Sequence, residues 1–358
     1  MRVVSVVGAR PQFVKLAPIS HAFSRRGIDH VIIHTGQHYD PLLSDVFFSD
    51  LAIPAPDIHL GIGSGSHGAQ TGAMLAALDE ALPSCAPDWV LTYGDTNSTL
   101  AAAICAVKLH YPLAHLEAGL RSFNRAMPEE HNRVLTDHAS DLLLAPTKTA
   151  AQHLSAEGLG NRTVIVGDVM TDVLFETREL VKDQPSPLTG TLTVDEGYTV
   201  ATIHRAENTD DRDRLSAILD SLGKVDHQVV LLVHPRLAAK CQAFGLDIAQ
   251  GNLIPHSPLA YPDLIRSVMH AKYVITDSGG LQKEAFLLGV PCVTVRTETE
   301  WVETVDLGWN TLVEPGPELI NATHQTMPPA LPEIGPYGDG HAAKRVADVM
   351  QSLFDSSM

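Results

Sequence analysis

The chain has 358 residues, too long for one ordinary hydrophobic core and suited to two domains. Hydrophobic residues make up 44% and charged residues 19%, which is globular composition and argues against disorder. The formal charge is −17, from 42 acidic against 25 basic residues, so no nucleic-acid partner is expected: backbone-tracking proteins draw their affinity from clustered cations. An anionic ligand would have to be held locally, by a few Arg, Lys or His side chains and by backbone N–H groups.

In chain order, Met1 leads directly into VVSVVG (3–8), with no basic segment and no small-residue cleavage site. No later run approaches the length of a membrane span, so a cytoplasmic protein with no membrane partner is expected. Further apolar, β-branched runs follow at HVIIHTG (30–36), WVLTYG (89–94), YPLAHLE (111–117), DLLLAPT (141–147) and TVIVGD (163–168). The second half continues with YTVATIH (198–204), VVLLVHP (229–235), YVITDS (273–278) and PCVTVR (291–296). Continuous apolar strands alternating with helical stretches predict parallel sheets buried on both faces. The expected fold class is therefore α/β, with two Rossmann-like, doubly wound domains facing a cleft. The expected domains are 1–168, 169–340 and a terminal helix within 341–358, with the Pro-rich DQPSPLTG (183–190) as a surface loop. Cys85, Cys105, Cys241 and Cys292 lie in apolar surroundings without CxxC spacing and read as reduced core thiols; neither disulfides nor zinc are expected.

Polar residues recur where the strands end: Arg10, Gln37 and His38, Asp95 and Glu117, then His204 and Arg205, His234, Asp277 and Ser278, and Arg296. Ligands of doubly wound sheets bind outside the carboxyl ends of the strands. Any single case is only polarity resuming after a strand; the recurrence of Arg, Asp, Glu and His points to a site. TDSGGLQKEAFLLG (276–289) reads as strand, Ser-Gly-Gly turn and helix. Its small residues Ser278, Gly279 and Gly280 and the free N–H groups of a helix start suit a diphosphate, with Glu284 near ribose hydroxyls. The first turn, VVGARPQFVK, lacks GxGxxG, so no nicotinamide cofactor is expected there. The 18 histidines are scattered and suggest no metal. In EAGLRSFNRAMPEEHNRVLTDHASD (117–141), Glu117 and Glu129 could converge with Asp95 as acid/base carboxylates, and Glu130 reads as a solvated residue of a helix start.

The ordered motifs GARPQFVKLAP (8–18), HTGQHYD (34–40), YGDTNST (93–99), HLEAGLRS (115–122), MPEEHNR (127–133), TIHRAEN (202–208), VHPR (233–236) and TDSGGLQKEA (276–285) cover nearly the whole chain. Together they resemble the non-hydrolysing UDP-N-acetylglucosamine 2-epimerases, which have a glycosyltransferase-B-like fold. The resemblance implies a UDP-N-acetylhexosamine substrate, no cofactor, and a homodimer joined through the N-terminal domains, with GAQTGAMLAALDEAL (68–82) as a candidate contact. By the same resemblance Arg10, Ser278, Gly279 and Gly280 would hold the diphosphate and Glu284 the ribose, with uracil near Tyr261 to Leu264. Lys15, Asp95, Glu117 and Glu129 would line the sugar pocket, with His204, Arg205 and His234 toward the pyrophosphate.

The implied chemistry eliminates UDP to 2-acetamidoglucal and re-adds it after protonation of C2 from the other face. A hydrolysing relative or a transferase of the same fold is the alternative, and a subgroup acting on the 2,3-diacetamido uronic acid nucleotide is related; AGLRSFNRAMPEE is more similar to the N-acetylglucosamine branch. The resemblance also implies a second, regulatory nucleotide-sugar site. Gln37, Gln70, His204, Arg205 and His234 match it, whereas Asp40 and Ala69 stand where a glutamine and an arginine would be. A carboxylate gained and a cation lost disfavour a diphosphate there, unless His67 substitutes, so altered regulation is expected.

Overall fold

Each of the ten apolar runs forms a parallel strand, and three further short strands complete two sheets. The computed structural model describes residues 1–37, 54–192, 197–324, 328, 330–332 and 335–357, with the backbone alone for Arg10 and Ser357. The chain divides into two units: Met1–Val173 together with Pro336–Met358, and Leu174–Gly335.

The first unit holds β1 (Arg2–Val7), β2 (Asp29–His34), β3 (Ile58–His59), β4 (Trp89–Tyr93), β5 (Leu113–Leu116), β6 (Leu142–Ala145) and β7 (Thr163–Ile165). Their order across the sheet is β3-β2-β1-β4-β5-β6-β7. Alternate residues of β1 face opposite layers, which is why its apolar run is continuous. Val3 and Val7 pack with Phe13, Leu16 and Phe23 of helix Arg10–Arg26. Val4 and Val6 pack with Met74 and Leu78 of helix His67–Cys85. The terminal helix Ala342–Ser357 returns to the first of these layers through Ala343, Val346 and Met350, and Arg26 pairs with Asp348.

The second unit holds β8 (Tyr198–Thr202), β9 (Gln228–Leu232), β10 (Leu253–His256), β11 (Tyr273–Thr276), β12 (Cys292–Thr294) and β13 (Asn310–Leu312), ordered β10-β9-β8-β11-β12-β13. Its strand order repeats that of the first unit through six strands. Chain direction across each sheet therefore reverses beside the first strand, between β1 and β4 and between β8 and β11. Doubly wound sheets open their ligand crevices at such points.

The segment 183–190 is not simply a surface loop. Leu188 is buried against Tyr198 and Val200, and the Ser186 and Tyr198 hydroxyls share a 2.7 Å hydrogen bond. The four cysteines are free and buried, and burial pushes the Cys292 thiol up to about 12. Among the described residues, no helix is long and apolar enough to cross a membrane.

Candidate active site

In the first unit, Gln12 ties the reversal point together. Its Oε1 accepts from the Gly8 and Ala9 N–H groups at 2.8 and 2.9 Å, and its Nε2 donates to the Tyr93 carbonyl at 2.8 Å. Gly94 then turns at φ +61°, a conformation that costs a side-chain-bearing residue. A Cβ at Gly94 would stand 3.2 Å from Glu117 Oε2 and 3.5 Å from Lys15 Nζ. Lys15 and Glu117 form a mostly buried ion pair at this point. Burial alone would lower the pKa of Lys15, but Glu117, Asp95 and Asp168 outweigh it and hold the ammonium above its ordinary range. Glu117 itself sits at φ +72°; a non-glycine residue held there by its surroundings stores strain of a kind that gathers at functional sites.

Asp95 follows Gly94 and pairs with Arg133 Nη2 at 2.6 Å, while Asn132 Nδ2 donates to its carbonyl at 2.9 Å. Arg133 and Asn132 were not anticipated as site residues. Both lie on helix Pro128–Ala139, three and four residues after Glu129 and so on the same helix face. The Glu129 side chain is exposed and makes no hydrogen bond or ion pair among the described residues. The structure thus joins Lys15, Asp95 and Glu117, and sets Glu129 one turn from the residues that reach Asp95.

The reading of Glu130 as solvated is wrong. Glu130 is 5% exposed and accepts from Ser122 N and Oγ, both at 2.9 Å, and from Phe123 N at 3.0 Å. It anchors the loop before the helix, where Phe123 adopts φ +57°.

Arg10 begins helix Arg10–Arg26 at the carboxyl edge of β1. Gln37 Oε1 accepts from the Ser98 amide at 3.1 Å and its hydroxyl at 2.7 Å. Gln70 Oε1 accepts from Asn97 at 2.8 Å, and its Nε2 donates to the Gly63 carbonyl at 3.0 Å. These polar atoms, assigned above to a regulatory site, already hold internal hydrogen bonds. Ala69 and His67 are exposed on the same helix, and His38 and Asp40 lie outside the described residues.

In the second unit, Asp277 is the hub at the β8–β11 reversal. It is fully buried and accepts from the His204 and Arg205 backbone amides at 3.0 and 2.9 Å, from Asn208 Nδ2 at 3.1 Å and from His204 Nδ1 at 3.1 Å. Burial works to raise its pKa; His204 and the other donors prevail and keep it below the usual carboxylate range. His204 is thereby fixed by its backbone and its ring, with its ring centroid 5.6 Å from that of His234. His234 caps helix Pro235–Phe244, Nδ1 accepting from Arg236 N at 3.2 Å. Its pKa is lowered by burial and by the neighbouring His204.

Ser278 caps helix Gly279–Leu287 through Leu281 N. Glu284 is buried on this helix and accepts from the Tyr261 hydroxyl at 3.0 Å. Leu264 packs into the core beside Val268 and Val274. The space beside Gly279 is filled: a Cβ there would lie 2.2 Å from Glu300 Oε1 and 3.9 Å from Arg205 Nη2. Glu300 is paired with buried Arg296 at 3.0 Å. Burial would raise Glu300, but Arg296 chiefly, with help from Arg205, holds it ionised below its ordinary range. A carboxylate therefore stands where the sequence pattern suggests a diphosphate, a feature no local motif announces. Among the described residues, no cluster of three His, Cys, Asp or Glu side chains could hold a metal ion.

The sequence profile of the UDP-N-acetylglucosamine 2-epimerase family matches residues 21–351. A UDP-N-acetylglucosamine 2-epimerase homolog of Methanococcus maripaludis is 45% identical, with 99% of this chain and all of that protein covered. The UDP-2,3-diacetamido-2,3-dideoxy-D-glucuronate 2-epimerase of Pseudomonas aeruginosa is 43% identical over the same shares. The crystal structure of Methanocaldococcus jannaschii UDP-GlcNAc 2-epimerase in complex with UDP-GlcNAc and UDP superposes with a TM-score of 0.86, at 37% identity, covering 98% of this chain and all of that one. Two Rossmann-type units with matched reversal points, and sequence likeness running from end to end, lead to one assignment: this chain belongs to the UDP-N-acetylglucosamine 2-epimerase family.

Proposed function

We propose that the protein reversibly interconverts UDP-N-acetylglucosamine and UDP-N-acetylmannosamine without a cofactor. The observation that carries this reading is the full-length likeness to the M. jannaschii enzyme, whose crystal structure holds UDP-GlcNAc and UDP. The C2 proton of the substrate is not adjacent to a carbonyl and is poorly acidic. Loss of that proton together with cleavage of the C1–O bond to UDP gives 2-acetamidoglucal; reprotonation of C2 on the opposite face and return of UDP to C1 gives the epimer. The step needs a stabilised leaving group and acid/base groups at C2. Arg10, His204, Arg205 and the Ser278-Gly279-Gly280 turn serve the diphosphate in this reading, with His234 beside His204, and Glu284 serves the ribose. Asp95, Glu117 and Glu129 move the protons, and Lys15 lines the sugar pocket beside Glu117. Lys15 pairs with Glu117 and Arg133 with Asp95, so each of these two carboxylates has a cation against it.

A second reading keeps the chemistry and changes the sugar. Identity to the P. aeruginosa diacetamidoglucuronate epimerase, 43%, exceeds the 37% to the M. jannaschii enzyme. Incubation with each nucleotide sugar in D2O, followed by proton NMR, separates the two. Epimer formation with deuterium at C2 is expected from UDP-N-acetylglucosamine. Turnover of the uronate alone moves the assignment to the second reading. Release of free N-acetylmannosamine makes the enzyme hydrolysing, and retention of the C2 proton overturns the elimination.

A further inference from the structure

Behind Gly94 and Glu117 lies a chain of charged side chains that the proposed reaction does not use. His115 is fully buried at the centre of β5. Its Nδ1 is 2.7 Å from Asp137 Oδ1 and its Nε2 is 2.7 Å from the Gly94 carbonyl. Asp137, also fully buried, accepts on its other oxygen from Arg121 Nη1 at 2.7 Å and Gly119 N at 3.1 Å. Arg121 closes the chain with two parallel bonds to Glu157, both 2.8 Å, and His138 meets Glu157 at the rim, 3.1 Å away.

A carbonyl oxygen can only accept, and so can an ionised carboxylate. The Arg121 guanidinium and the Gly119 amide both donate to Asp137 Oδ2, so this carboxylate is ionised and can only accept. Both nitrogens of His115 therefore face acceptors, and both must carry hydrogen. The imidazolium this requires is matched in the series His115, Asp137, Arg121, Glu157, in which positive and negative groups alternate and each bonds the next.

We infer that His115 is a positioning residue held as a buried imidazolium, clamping the Gly94 carbonyl so that Asp95 and Glu117 keep their mutual placement. The bond from Nε2 holds Gly94 in its left-handed turn, the Lys15–Glu117 pair lies against the Gly94 Cα, and Asp95 begins the next peptide. Asp137 anchors the other end of the ring, so the imidazole cannot follow the turn if it drifts.

Two readouts test the clamp, and only the second rests on the epimerase reading. In protein labelled with 15N-histidine, the His115 ring, identified as the signal absent from His115→Gln, shows both nitrogens protonated at neutral pH; one unprotonated nitrogen overturns the inference. In turnover, His115→Gln keeps an amide N–H long enough to reach the Gly94 carbonyl, whereas His115→Asn reaches only Asp137. His115→Asn therefore loses about 10²-fold in kcat with KM changed less than about threefold, and His115→Gln recovers most of that loss. Equal kcat losses in the two variants reduce His115 to packing and overturn the clamp. If His115→Asn fails to fold, His115→Gln carries the turnover readout alone: near wild-type kcat supports the clamp, and a loss of about 10²-fold overturns it. A wild-type protein with no epimerase activity refutes the functional reading and leaves the NMR readout to decide the state of His115.

Discussion

Glu129 and Glu130 are adjacent in sequence and opposite in circumstance, so replacing each by glutamine should separate stability from turnover. The Glu130 carboxylate accepts three hydrogen bonds of 2.9, 2.9 and 3.0 Å and faces Arg133 Nη1 at 3.4 Å. Glutamine offers one acceptor oxygen in place of two, so at least one of these donors meets an NH2 group. Bonds to a charged group contribute about 1.5–3 kcal/mol each, and those that remain become neutral and weaker, so Glu130→Gln costs about 2–4 kcal/mol. For a domain of this size that is a fall in Tm of about 4–16 °C. Glu129→Gln, at an exposed position, stays within about 0.5 kcal/mol of wild type.

The pH dependence carries a sign as well. Burial opposes ionisation of Glu130, yet Ser122, Arg133 and Phe123 hold its folded pKa below the ordinary 4.5. The unfolded chain binds that proton first, so the stabilisation is fully present above pH 4.5 and is lost as pH falls through the lower folded value. Wild type and Glu130→Gln should therefore converge in acid, as followed by calorimetry from neutral pH downward. Equal Tm values at neutral pH, or a Glu129→Gln protein less stable than Glu130→Gln, would refute the reasoning.

Asp95→Asn, Glu117→Gln and Glu129→Gln should each lower kcat by about 10²–10⁴-fold, with substrate KM changing far less; near-normal turnover in all three removes them from the chemistry. Glu300→Gln withdraws a carboxylate from beside Gly279 and releases Arg296 and Arg205 toward an anion, so UDP should bind about tenfold tighter by calorimetry; unchanged or weaker binding shows that Glu300 does not compete for that place. Gly94→Ala puts a methyl group at φ +61° against the Lys15–Glu117 pair and should cost about 1–3 kcal/mol in thermal unfolding; a neutral effect would mean that the turn relaxes freely.

Strands inside a parallel sheet are covered on both faces, so their residues form unbroken apolar runs that stand out locally. That is why β1, β4, β8 and β11 are legible, and with them the polar residues Asp95, His204 and Asp277 that follow. The strands the sequence does not announce, β3, β10 and β13, are all at sheet edges. They are two to four residues long, and β10 contains Pro255, which an edge tolerates. Leu188 escaped notice for a related reason: a single apolar residue among Pro, Ser and Gly has no period to betray its burial.

Charges divide in the same way. That Ser278, Gly279 and Gly280 start a helix follows from residue type alone, because a hydroxyl cap and small residues suit that turn. Which of Glu129 and Glu130 turns inward does not. They point about 100° apart on the helix, and only the packing of the Ser122–Phe123 loop against that helix selects one. The His115–Asp137 and Arg121–Glu157 contacts span 22 and 36 residues, and Glu300 reaches Gly279 across 21 positions of chain. Local sequence determines which groups are present and which backbone conformations they favour. The folded chain determines which charges meet, because the energy of an ion pair depends on a distance and a burial that exist only once distant segments have packed.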